Sequence, residues 1–374
     1  MKSTTREGLG SGISLLLILA TAATFLFCVC VGSVSIPVQE TLSVMIKAIL
    51  RQSVDSAIIL SVRLPRVLCV ALSGAALALS GVAMQGLLKN PLADGSTLGV
   101  SSGASLGAVI AIAFGITLPG LPFAGTTILA ILFAFLSLLL ILTLSYKLDY
   151  TLSTSTIILI GVIFSMFVSS ILSLIVTFAA DKIKSITFWT MGSLSGSTYE
   201  NALVLLGALM IFGTMILIHA GELNAFAVGE DNARNIGVNV RRVKLLILIA
   251  ASGLIGVCVS VGGTIGFVGL VTPHVARMIV GPNHKRLIPA SVFGGAIFLM
   301  LCDLVIIFFT EPFRNVLKRG YYREMEALLQ QTLFIVLFGA AESYRIGMLD
   351  LTQALTAIPT IAILSASAGD QPSK

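Results

Sequence analysis

Residues 221–244, GELNAFAVGEDNARNIGVNVRRVK, hold seven charged side chains between two long uncharged apolar runs. Acidic and amide residues come first, then a glycine break, then a basic cluster. The chemistry on offer is docking through mixed charge; the plain alternative is a solvated loop that only obeys charge-bias rules. No nucleophile, base and orienting acid gather anywhere in the chain. No G-x-x-x-x-G-K-[ST] phosphate cradle occurs, and GVSSGASLG at 99–107 lacks the lysine such a cradle uses.

Other reactive side chains are scattered. Cys28, Cys30, Cys69, Cys258 and Cys302 all fall in apolar runs, which fits neither a disulfide framework nor a metal site. His219, His274 and His284 stand near the ends of such runs without a carboxylate or thiol at ligand spacing, so packing or interfacial roles are expected. No cofactor is called for.

The elements that must carry the polar segment are membrane helices. Hydrophobic residues make up 56% of the chain, charged residues 11%, and mean hydropathy is +1.03. A helix needs roughly 20 apolar residues to cross the hydrocarbon core. Runs that meet this lie near 12–36, 67–88, 98–118, 123–146, 153–179, 201–219, 245–262 and 288–309, with 264–281 a shorter, more polar candidate. Lipid leaves backbone groups no partner but each other, and ten-residue alternation is missing, so these runs are helices and not barrel strands. The fold class is all-α, a polytopic transmembrane bundle of about nine to ten helices.

Charge bias orients it. With a cytoplasmic N-terminus, eleven Lys and Arg fall on the cytoplasmic side up to residue 310 and six on the other, which satisfies the positive-inside rule. The 221–244 segment is then cytoplasmic, and the net charge of +6 concerns orientation, not nucleic acid. The spans are almost charge-free apart from Asp303 and Arg277, which gives little support to an ion-coupled secondary carrier, the alternative function. Gly99, Gly103 and Gly107, with Ser73, Gly74, Ala78 and Gly81, mark faces for close helix contact.

Four stretches carry a resemblance: RLPRVLCVALSGAALALSGVAMQGLLKNPLADGSTLGVSSGASLG (63–107), FWTMGSLSG (188–196), LNAFAVGEDNARNIGVNVRR (223–242) and GFVGLVTPHVARMIVGPNHKRLIP (266–289). They resemble the FecCD family, the type II permeases of ABC importers for iron-siderophores, haem and cobalamin. The resemblance implies a second permease subunit, identical or related, with the path at their interface in a bacterial cell (inner) membrane. It further implies cytoplasmic ABC ATPase subunits below and an extracytoplasmic substrate-binding protein above.

The resemblance also implies roles for single residues. The loop matching Leu223 to Arg242 folds in the family as short coupling helices in the ATPase groove, which puts Gly229, Glu230, Asp231, Ala233, Arg234 and Gly237 at that contact. Arg63 and Arg66 of RLPR fall at the outer mouth, where the family receives acidic side chains of the binding protein. An arginine that the family often carries just after the aspartate matching Asp303 is replaced by Ile306 and Ile307. Asn90, Pro91, Leu92 and Ala93 match a turn whose role is expected to be structural. The path is expected near 67–88, 153–179 and FWTMGSLSG.

The resemblance covers a permease domain over 1–312. Family members continue with E-[LI]-P-x-G and a final helix holding G-x-P-F-F, where this chain reads Thr310, Glu311, Pro312, Phe313 and then RNVLKRGYYREMEALLQQ. Residues 313–374 form a divergent segment with one or two further membrane-associated helices near 328–341 and 351–366, the expected product of a frame disruption or a divergent ending.

Overall fold

A computed structural model describes residues 3–32, 36–50, 58–95, 98–116, 124–150 and 152–310. Among them every regular element is helical: α1 Ser3–Cys30, α2 Val38–Ile49, α3 Leu64–Leu88, α4 Val100–Ala113, α5 Ala124–Leu148, α6 Thr154–Phe178, α7 Ile183–Met191, α8 Tyr199–Ile218, α9 Ala220–Val228, α10 Glu230–Asn235, α11 Val240–Gly262, α12 Val268–Val280 and α13 His284–Thr310. A π-helical turn over Ile58–Arg63 runs straight into α3, making one 31-residue apolar helix, Ile58–Leu88. Six of these helices are long and apolar enough to cross a membrane, and Leu15–Cys30, α4 and α12 are shorter apolar helices. The predicted apolar runs at 328–341 and 351–366 lie outside the described residues.

Residues 1–301 form one compact unit and 302–374 another; the described residues of the second, Cys302–Thr310, complete α13. In the first unit α3 and α11 are the buried centre, while α5, α6 and α8 turn most of their apolar side chains outward. Small residues set the crossings. A methyl group on Gly81 of α3 would strike the carbonyl of Gly269 in α12, and one on Gly74 would strike that of Gly295 in α13. Gly107 of α4 is pressed in the same way against the Leu129 carbonyl of α5. In lipid such backbone approach replaces the hydrophobic drive available in water.

Segment ends gather at two poles. At one, Tyr199 Oη donates to the Leu60 carbonyl at 2.5 Å, and Arg63 caps α1. At the other, Asn224 of α9 accepts from the His284 amide at 2.8 Å and bonds its Nδ1 at 2.9 Å, while its own Nδ2 donates to Asn283 at 3.0 Å. His284 is therefore a packing residue, lodged against Gly86 where any larger side chain would collide with its ring. The Asn90 turn closes α3 at this pole: Oδ1 accepts from Leu92 N at 2.9 Å and the Asn90 carbonyl from Ala93 N at 3.1 Å.

Candidate functional site

The polar 221–244 segment folds as two short helices, α9 and α10, bent at Gly229 and returned to α11 through Gly237. Gly229 has φ 150 and Gly237 φ 90, conformations that L side chains resist. Leu223 and Phe226, fully buried, pin α9 to the bundle, and Ala233 does the same for α10. Asn239 caps α11 by accepting from Arg242 N at 3.1 Å. The outcome is a short hairpin of helices seated against the helix ends by buried side chains.

Its six sequence-expected residues divide by role. Asp231 and Arg234 point outward, with 94% and 66% of their side chains exposed and a loose 3.7 Å contact between them. Ala233 offers no side chain to a partner because it is wholly buried. Glu230 turns inward instead, pairing at 2.9 Å with Lys244, whose side chain is 1% exposed. Gly229 and Gly237 shape the backbone. Two residues that charge patterning missed complete the outer face: Val228 and Ile236 are 73% and 72% exposed. A mixed patch of two charges flanked by two aliphatic side chains is what a groove on another protein can hold.

At the far pole the two arginines also differ. Arg63 is buried, its Nη1 donating to the carbonyls of Cys30 at 3.0 Å and Val29 at 3.3 Å, so a cation closes the C-terminus of α1. Its guanidinium lies against Gly32. Arg66, one turn further along, is half-buried.

Between the poles, the described residues of the first unit line a partly open cavity of about 560 Å³. Hydroxyls dominate its polar lining, Ser80 from α3, Ser101, Ser102 and Ser105 from α4, Ser165 and Ser169 from α6, and Asp94 adds one carboxylate. The non-helical stretch 263–267 forms another wall. α12 has 13 residues, and at 1.5 Å each it is only about 20 Å long, so against a hydrocarbon core of about 30 Å this stretch is expected at membrane depth. Irregular backbone survives there when it is buried in protein or lines a polar cavity. Thr264 fixes it by donating to the Thr190 carbonyl of α7 at 2.5 Å. The expected path elements α3 and α6 thus meet at the cavity, and FWTMGSLSG buttresses its wall; the contribution of α4 was not foreseen. No group of metal-ligating side chains occurs among the described residues.

The sequence profile of the FecCD transport family matches residues 17–317. An uncharacterised ABC transporter permease of Bacillus subtilis (strain 168) is 43% identical over 255 residues, 68% of this chain and 72% of its own. A cobalamin import system permease of Halobacterium salinarum is 38% identical over 245 residues, 66% of this chain and 65% of its own. A solved structure of an inward-facing ABC transporter, assigned to the metal-chelate type, superposes with a TM-score of 0.72 at 32% identity. That superposition covers 88% of this chain and 99% of the other. The family match takes in every helix from α2 to α13, and the chain is a member of the FecCD transport family, a multi-pass permease subunit of an ABC importer and not an enzyme.

Proposed function

We propose that this permease carries an iron-siderophore complex, or a haem or cobalamin-like compound, across a bacterial inner membrane on energy delivered by a cytoplasmic ATPase. The α9–α10 hairpin is the handle the ATPase grips, through Asp231, Arg234, Val228 and Ile236. Its seating by buried side chains supports this reading, because a handle that flexed under load would transmit nothing. The positive-inside count from the sequence puts it in the cytoplasm. A second permease subunit completes the path, to which the hydroxyl-lined cavity belongs. A lining mostly of hydroxyls, with the single carboxylate of Asp94, suits passage of a large polar chelate that must not be held. Above, Arg66 receives an acidic side chain of a substrate-binding protein, with Arg63 setting the local backbone.

The hairpin's exposed face carries the proposal, and charge reversal tests it. Asp231→Lys with Arg234→Glu should cut retention of the ATPase on the purified permease by tenfold or more, about 1.4 kcal/mol of interface energy. Glu230 is unsuited to this test because its carboxylate is engaged internally. Undiminished retention by the reversed variant contradicts the proposal.

A further inference from the structure

One buried cation links the hairpin to the cavity wall. Lys244, in the second turn of α11, donates from Nζ to Glu230 Oε1 at 2.9 Å and to the Leu152 carbonyl at 2.9 Å. The two acceptors belong to different segments. Glu230 is the first residue of α10, and Leu152 lies in the turn between α5 and α6.

The Leu152 turn is itself locked to α6. Leu152 has φ 53, an unusual left-handed conformation for leucine, and its amide donates to the Asp149 carbonyl at 3.0 Å. Ser153 follows, its amide donating to Asp149 Oδ2 at 3.1 Å and its hydroxyl capping α6 by accepting from Thr156 N at 3.4 Å. α6 then runs to Ser165, Val168, Ser169 and Leu172 on the cavity. A continuous chain of bonded groups therefore leads from α10, through one ammonium, to the start of a cavity-lining helix.

Lysine is a poor choice for simple filling of this space. An apolar side chain of similar volume would avoid desolvating an ammonium, and buried ion pairs are often replaceable by apolar groups without loss of stability. What the charge adds is direction: two acceptors are held at fixed distances, and withdrawal of either leaves a buried cation with one partner fewer, a cost that is raised in a low-dielectric setting.

We infer that Lys244 is a positioning residue that makes α10 and the start of α6 move as one piece, so that displacement of the hairpin by the motor reaches the cavity wall. This rests on the reading of the hairpin as the motor's handle. A chain of contacts is not by itself coupling; the demonstration is a two-site energetic effect.

The test uses the complete importer, permease with ATPase and binding protein, reconstituted in liposomes, with Lys244→Met, Glu230→Gln, the double variant and Lys244→Arg. Three quantities are read: ATPase retained on the permease, ATP hydrolysed, and substrate taken up per ATP. Lys244→Met and Glu230→Gln should retain the ATPase within about twofold and still hydrolyse ATP, while uptake per ATP falls about tenfold. The double variant should be no worse than Lys244→Met, because both changes cut one link. Lys244→Arg, which keeps a charged donor, should recover most of the uptake. Glu230→Gln removes the ion pair while keeping the side chain's shape, and serves if Lys244→Met fails to fold. Unchanged uptake per ATP in the Glu230 and Lys244 variants overturns the inference. So does a parallel loss of uptake and ATPase retention, which marks Lys244 as a support for the docking face alone. Wild-type permease that retains no ATPase defeats the underlying reading instead, a distinct result visible before any variant is made.

Discussion

Arg277 of α12 donates through Nη2 to Oε1 of Gln85 in α3 at 3.1 Å. The amide nitrogen of Gln85 in turn donates to the carbonyls of Gly269 and Leu270, each at 3.2 Å. Pro273 explains the arrangement. It sits inside α12 and lacks the amide hydrogen that would have bonded the Gly269 carbonyl four residues earlier. A side chain from a neighbouring helix supplies the missing donor, which is how proline-containing membrane helices stay satisfied.

Replacing Gln85 by Leu should therefore strand the Gly269 carbonyl, remove a partner of Arg277 and destabilise the permease by about 1–3 kcal/mol. Thermal unfolding in detergent measures this. Ser170→Ala, which removes only an exposed hydroxyl bonded to its own helix, should shift stability by no more than about 0.5 kcal/mol. Equal melting of the two variants contradicts the account.

The crossing of α3 and α12 at Gly81 and Gly269 has backbone on both sides, so neither helix can yield as a flexible side chain would. Gly81→Leu should cost at least about 1–3 kcal/mol and broaden or abolish the monodisperse peak in size-exclusion chromatography. Gly207→Ala in α8, with nothing within 4 Å of the added methyl, should behave like the parent. A monodisperse, equally stable Gly81→Leu protein refutes the close crossing.

The two arginines of RLPR should separate in experiment. Arg63→Ala removes the donor to the Val29 and Cys30 carbonyls and should lower stability by about 1–3 kcal/mol. Arg66→Ala should weaken binding-protein affinity and flatten its salt dependence, since complementary charge steers docking and is screened by salt. Binding measured across a salt series decides it, and an Arg66→Ala permease with parental affinity and slope removes Arg66 from the docking site.

The resemblance read from the sequence ends near Pro312, and the family match stops at residue 317. A frame disruption predicts that the coding DNA, read in another frame beyond this point, encodes E-[LI]-P-x-G followed by a helix with G-x-P-F-F. Absence of that sequence from every frame makes the ending a divergent one.

The long spans were legible because lipid leaves a chain no option but unbroken apolar helices, and α5, α6, α8, α11 and α13 fall where the apolar runs do. α2 and α7 escaped notice because they are short and too polar to register as spans. The docking segment announced itself by charge, yet charge could not assign roles inside it. Glu230 and Arg234 look equivalent in sequence; one is engaged by a lysine fourteen residues away and the other is exposed. The carbonyls that Arg63 caps were illegible for the same reason, since they lie over thirty residues earlier. The cavity needed three dimensions altogether: Ser80, Ser102 and Ser165 carry no sequence signal until α3, α4 and α6 are packed together.

Photo-crosslinking from position 236 tests the central claim most directly, because Ile236 projects from the outer face of the hairpin. A benzophenone amino acid placed there, in inside-out vesicles holding the assembled importer, should crosslink the ATPase, and the same probe at Tyr199 on the opposite pole should not. Crosslinking from Tyr199 and none from position 236 would contradict the account.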